Sequence, residues 1–231
     1  MSLHLNPETL CGIDAFRYLD LASRRALAEQ CRSRHYGEGE AIIKANDTSR
    51  EVYFMVSGRA RAVNHSAEGH QVALQDITAG QMFGELGAID DLPRSATVLT
   101  TAECYVVMLS AEAFRDVRRR WPAVAECTLA HLSRMVRLLT LQVYERDVLP
   151  VSQRVRSTLL RLAAPTSDGR RAVITPAPTH QELAAYIGTT RESVSSEMAV
   201  LKRAGLLNRR GNDLLIMGLD TPERWRKNGK R

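Results

Sequence analysis

Three kinds of hydrophobic pattern succeed one another along the chain. Residues 1–35 read as helical with a polar face, and Leu19, Leu21 and Leu27 are available for packing. From Tyr36 the apolar residues fall into short β-prone runs, at 41–44, 52–56, 59–63, 72–77, 96–100 and 104–109, separated by Gly, Asn and Asp. Several short strands at this spacing, with turns at Ser57-Gly58 and at 64–69, predict an antiparallel barrel or jelly roll. At 122–148 the period becomes helical. Ala125, Thr128, Leu132, Met135, Leu139 and Gln142 recur at intervals of three and four, the seam that pairs two copies of a helix, and Leu129, Val136 and Val143 form a second row. One face can meet a partner subunit while the other covers the N-terminal domain; the alternative is a single helix buried in a monomer.

Beyond this helix, Pro150 removes a backbone donor, restricts Leu149 and marks a hinge. A further helix is predicted over 153–163 from Val155, Leu159, Leu160 and Leu162, then a polar loop over 165–171 and a short strand over 172–175. Thr179-His180-Gln181-Glu182 is a capping box that starts a helix ending at Gly188. A second helix opens at Arg191 and runs through Val194, Met198 and Leu201 to a cap at Gly205. Two short helices joined by a Gly-containing turn make a helix-turn-helix, and 206–216, broken at Gly211-Asn212-Asp213, fits a hairpin wing. The tail holds Arg224, Arg226, Lys227, Lys230 and Arg231 around Trp225, and reads as disordered or in loose contact with DNA.

Charge sharpens this division. Residues 1–149 carry 17 Lys and Arg against 19 Asp and Glu, a net of −2, while residues 150–231 carry 15 against 7, a net of +8. A basic C-terminal third points to a polyanion. The length of 231 residues allows two domains. Cys11, Cys31, Cys104 and Cys127 lie far apart without a CxxC pair, so no metal is expected and reduced thiols are. His65 and His70 read as solvated loop residues rather than ligands. No apolar run approaches the roughly 18 residues of a membrane helix, and a soluble cytoplasmic protein is expected. No nucleophile, base and orienting group recur at a usable spacing, so no enzyme activity or catalytic residue is expected.

Two stretches carry candidate chemistry. In the stretch 83–98, Gly84 permits close backbone approach, and a short helical turn after it would aim free amides at an anion. Arg94 can offer a forked cation to a phosphate and Glu85 can accept from a sugar hydroxyl; a cyclic ribonucleotide carries both groups side by side. At the start of the second C-terminal helix, Arg191 can donate twice to guanine, Glu192 can accept from cytosine, and Ser195 and Ser196 can contact base or phosphate. Helix capping accounts for Glu192 without DNA, but not for Arg191 at the positive end of a helix. Lys202, Arg203, Arg209 and Arg210 suit the phosphate backbone.

Phe83-Gly84-Glu85-Leu86 followed by Pro93-Arg94-Ser95-Ala96-Thr97 resembles the phosphate-binding cassette of cyclic-nucleotide-binding domains, and residues 15–218 are similar to the bacterial cyclic AMP receptor protein and FNR superfamily. The resemblance implies an α+β chain: an N-terminal cyclic-nucleotide-binding-like β-barrel or jelly roll (1–120), a long central dimerisation helix and hinge (121–149), and a C-terminal winged helix-turn-helix (150–231). It implies that Glu85 binds the ribose, that Arg94 and Ser95 bind the cyclic phosphate, and that the backbone of Gly84 to Leu86 completes the cradle. Two adjacent hydroxyl residues that reach the adenine in the family align with Leu139 and Thr140, of which only Thr140 keeps a hydroxyl. The family's Arg that supports the ligand-bound Glu falls at Met135. Cyclic AMP is the leading effector, with cyclic GMP open. For DNA, the family's reading residues match at Arg191 and Glu192 and a phosphate contact falls at His180, while the Arg that reads a guanine falls at Ser196. The implied partners are a second copy of the chain, palindromic double-stranded DNA and RNA polymerase, with no membrane. Two alternatives stand beside this: the same regulator answering another effector, a thiol redox event or none, and a nucleotide-binding regulatory subunit of an enzyme.

Overall fold

The computed structural model describes residues 5–65, 71–166, 171–219 and Trp225, and the chain divides into two compact units, Met1–Val136 and Arg137–Arg231. The first unit opens with a 3-10 turn at Pro7–Gly12 and helix α1 (Leu21–Ala28), capped by the Asp20 carboxylate, which accepts the Ser23 amide. Helix does not extend to residue 35 as expected. Arg32–Tyr36 is strand β1, paired antiparallel with β8 (Cys104–Leu109); that partner is far away in sequence, so no local pattern announces it. Leu19 and Leu27 are buried, whereas Leu21 is exposed.

Each predicted strand is present: β2 (Ala41–Ile43), β3 (Val52–Ser57), β4 (Arg59–His65), β5 (Gln71–Thr78), β7 (Thr97–Thr100) and β8. A two-residue strand β6 (Met82–Phe83) is added. The turn expected at 64–69, with His70, falls largely outside the described residues. The strands form two antiparallel sheets, ordered β1-β8-β3-β6 and β2-β7-β4-β5, so the fold is jelly-roll-like and not a closed barrel. Because successive strand residues point to opposite faces, Val52 and Phe54 of β3 enter a core shared with Phe16, Leu27 and Phe114, while Tyr53 and Met55 enter a second core with Ile43, Ile77 and Val98 of the other sheet. The first sheet is thus buried on both faces, which is why β3 reads as a continuous apolar run.

Between β6 and β7 lies the short helix α2 (Glu85–Asp90), and after β8 comes α3 (Ala111–Arg120), which buries Ala111, Phe114 and Val117 on one side and carries Arg118, Arg119 and Arg120 in its last turn. The central helix α4 spans Pro122–Val148, as its period predicts. In the single chain the expected partner seam is partly covered: Ala125, Leu132, Met135 and Gln142 are half-buried and Leu139 is exposed. Thr128 of the presumed partner seam is buried and bonds the Val124 carbonyl, and Met135 lines a cavity of its own unit. The exposed row is Leu129, Val136 and Val143, with Leu139 beside it. A helix with two apolar stripes does not say which one its own chain covers.

In the second unit, Pro150 caps α5 (Val151–Leu162). Across that proline the buried Glu145 carboxylate of α4 accepts from the Ser157 hydroxyl and from Arg161 Nη1 at 3.2 Å. Helices α6 (His180–Ile187) and α7 (Arg191–Arg203) pack on α5 and on each other. The capping box at Thr179 and Glu182 is formed, and Gly188 ends α6 in the left-handed region at φ 62°. Strands β9 (Ala164–Pro165), β10 (Ala172–Ile174), β11 (Leu207–Arg210) and β12 (Asp213–Ile216) form a sheet ordered β11-β12-β10-β9. Arg210 pairs with Asp213 around a loop of Gly211 and Asn212, giving the predicted wing.

Candidate effector cavity and nucleic-acid interface

The loop from β6 to β7 brings Gly84, Glu85, Leu86, Arg94 and Ser95 into the wall of one cavity, which His131 and Met135 of α4 and Ile43, Phe83 and Val98 also line. Gly84 stands at φ 76°, and a Cβ there would lie 2.8 Å from Ile43 Cδ1 and 3.0 Å from Arg94 Nη1. A glycine is therefore required twice over, by dihedral and by space. Glu85 begins α2, so its amide and that of Leu86 are among the helix-start donors with no intrahelical partner.

Glu85 and Arg94 are both buried, at 2% and 4% exposure, and each is fixed by the protein. The Arg94 guanidinium donates from Nη1 to the Gly84 carbonyl at 2.6 Å, from Nη2 to the Glu51 carbonyl at 2.8 Å and from Nε to the Ser49 hydroxyl at 3.1 Å. It lies 5.7 Å from the centre of the Tyr53 ring and 3.7 Å from the Glu51 carboxylate. These bonds use three of an arginine's five N–H donors, so the fork is held while donors remain for an anion in the cavity. The backbone of the loop is braced as well, since Asn46 donates to the Arg94 carbonyl and Arg94 to the Asp47 carbonyl, each at 2.9 Å. Glu85 does not pair with Arg94. Its carboxylate instead lies 3.5 Å from Nε2 of the buried His131, a residue that sequence reading passed over because a lone histidine on an apolar helix face resembles an ordinary core residue.

Leu139 and Thr140 lie in the part of α4 that belongs to the second unit, and both are exposed. The remaining predicted residues surround the helix-turn-helix. Arg191, Glu192 and Ser196 are exposed on the first turns of α7, whose N-cap is Thr190. Ser195 is half-buried, with its hydroxyl 2.6 Å from His180 Nδ1, so the α6 start and the α7 face are tied to each other. Lys202, Arg203, Arg209 and Arg210 are exposed.

Beneath this surface sits a cluster that sequence reading did not find. Arg156 of α5 donates to Glu197 of α7 from Nη2 at 2.7 Å and Nε at 2.9 Å, and from Nη1 to the Trp225 carbonyl at 3.1 Å. The Trp225 indole donates to the Met217 carbonyl at 3.0 Å and is buried, so this residue is anchored rather than part of a loose tail; the rest of 221–231 lies outside the described residues. Among the described residues no group of three or more His, Cys, Asp and Glu gathers as metal ligands would, and no helix is long and apolar enough to cross a membrane. Burial pushes the Cys31 thiol up to about 12 and also raises those of Cys104 and Cys127, which suppresses the reactive thiolate.

Comparison with known proteins matches this geometry at both ends. Residues 33–120 fit the model of the cyclic nucleotide-binding domain, and residues 153–221 fit that of the Crp-like helix-turn-helix domain. The chain is 27% identical over 194 residues to the cAMP-activated global transcriptional regulator CRP of Haemophilus influenzae, covering 81% of this chain and 85% of that one. It is 25% identical over 211 residues to a CRP-like cAMP-activated global transcriptional regulator of Mycobacterium tuberculosis, covering 90% and 94%. Its fold is like that of CLP, a c-di-GMP responsive global regulator of Xanthomonas campestris, with a TM-score of 0.73 over 85% of this chain and 98% of that one at 22% identity.

Proposed function

Because the chain belongs to the cyclic AMP receptor protein and FNR superfamily of DNA-binding transcription regulators, we propose that a cyclic nucleotide, cyclic AMP before cyclic GMP, occupies the first unit's cavity and controls DNA binding by a homodimer. The observation that carries this reading is the convergence of Glu85, Arg94, Ser95 and the left-handed Gly84 on one cavity that His131 and Met135 of α4 also line. Arg94 and Ser95 would hold the cyclic phosphate with the Glu85 and Leu86 amides, and Glu85 would accept from the ribose hydroxyl. Leu139 and Thr140, which align with the family's base-reading pair, carry a single hydroxyl between them. The free space is about 70 Å³, against roughly 300–1,000 Å³ for ligand pockets in general. A nucleotide must therefore displace the cavity walls, and one of them is the helix that continues to Val148 in the second unit.

That helix also supports the dimer. Leu129, Val136 and Val143 are 58%, 63% and 60% exposed at a seven-residue interval, the repeat that pairs two helices. A dimer would present two α7 helices to successive major grooves, about 34–36 Å apart on a palindrome. Arg191, Glu192 and Ser196 would read bases; His180 and Ser195, already bonded to each other, would fix the register against the backbone. A serine at 196 in place of the family's arginine predicts a half-site that departs from the family's usual one. RNA polymerase is the proposed partner at the promoter and the cytoplasm the proposed location.

A different effector is the second reading, since CLP shares this fold and responds to c-di-GMP. Thiol control through Cys31, Cys104 or Cys127 is disfavoured by their raised thiols. Calorimetry with cyclic AMP and cyclic GMP, followed by selection of DNA with and without whichever binds, tests the proposal. Binding of one nucleotide that tightens a palindromic site is expected; equal DNA affinity with an empty and a filled cavity would overturn it.

A further inference from the structure

The Glu85 carboxylate has one close cationic candidate in its cavity, and it is not Arg94. His131 Nε2 lies 3.5 Å from Glu85 Oε1, both side chains are more than nine-tenths buried, and both line the cavity. Met135, which aligns with the family's supporting arginine, is four residues further along α4; positions four apart share a helix face, and both residues stand in the cavity wall. The charged groups that share the space with the imidazole are Glu85 from α2 and Arg94 from the loop before β7. The ion pair of Arg94 is with Glu51, and that of Glu85 is with His131.

We infer that His131 is a positioning residue of the effector site, taking over one helical turn earlier the support of Glu85 that an arginine gives in the family. The inference rests on the reading of the cavity as a cyclic-nucleotide site. The imidazole engages Oε1 and thereby orients Oε2 toward a ribose hydroxyl, since a carboxylate can accept on both oxygens. Without the imidazole beside it the carboxylate is free to turn away from the ribose, so loss of His131 lowers affinity for the nucleotide through Glu85.

The test is titration calorimetry of cyclic AMP against the full-length protein, its His131→Ala and His131→Gln variants, and all three again in a Glu85→Gln background. Glutamine keeps a donor of similar reach, and circular dichroism checks that each variant is folded. We expect His131→Ala to bind about tenfold more weakly than the parent, the size of one charge-assisted hydrogen bond, and His131→Gln to recover part of that loss. In the Glu85→Gln background His131→Ala should change affinity less than about twofold, because coupled residues are not additive. An unchanged affinity in His131→Ala, or the same loss with Glu85 and with Gln at position 85, would overturn the role of His131 while leaving the cavity assignment standing. A parent protein that binds neither cyclic AMP nor cyclic GMP would overturn both.

Discussion

The two candidate sites are built in opposite ways. In the cavity of the first unit the side chains that would meet a ligand are themselves buried and held: Arg94 by three protein acceptors, Glu85 beside His131. On α7 the residues that would meet DNA stand exposed, and the fixing is done one layer down, by the Arg156 pair with Glu197 and by His180 with Ser195. The difference follows from the size of the ligand. A small anion must be taken out of water, so its partners are paid for in advance by burial and are costly to leave unpaired. DNA arrives hydrated and charged, and long exposed side chains can adapt to it at little cost to folding. Removal of a cavity residue should thus damage both binding and stability, and removal of an α7 residue binding alone.

The largest expected effect lies on the helix between the two sites. Val136→Asp places a charge in the exposed row of α4; sedimentation should show a monomer, and affinity for a palindrome should fall by about 10²–10⁴, the gain that bivalent attachment gives. A dimer that persists with unchanged DNA affinity would cut the proposed link between the sites.

Arg94→Ala should weaken cyclic AMP binding at least about tenfold, from the loss of charge-assisted hydrogen bonds of about 1.5–3 kcal/mol each. It should also lower thermal stability, because the Gly84 carbonyl is left without its donor, at about 1–3 kcal/mol for a buried group and roughly 2–4 °C in Tm per kcal/mol. Loss of binding with no change in Tm would contradict the anchoring role.

Arg191→Ala is the contrasting case. Affinity for the selected site should drop by about 1–3 kcal/mol, with discrimination relaxed at one base pair, while Tm stays within about 2 °C because surface changes are worth about ±0.5 kcal/mol. Melting curves and binding to single-base variants of the site check both halves. The smallest effect is expected at the wing: Arg209→Ala should weaken binding to all sequences alike and reduce the slope of log affinity against log salt by about 0.9, one phosphate contact's share.

Much of this molecule was legible in its sequence. The six apolar runs became strands, the helical period from Pro122 to Val148 became α4, and the Thr179 capping box and Gly188 stop became the helix-turn-helix, because each depends on neighbours within a few residues. The glycine at 84 and the residues gathered on one short loop likewise brought Glu85, Arg94 and Ser95 to one wall. What only the tertiary structure decided were the relations between distant positions: the pairing of β1 with β8, the row of α4 that its own chain covers, the meeting of His131 with Glu85, and the anchoring of Trp225 by Arg156. Local propensity and periodicity assign a residue to an element and a face, but they carry no information about which remote group will stand opposite that face once the chain has closed on itself.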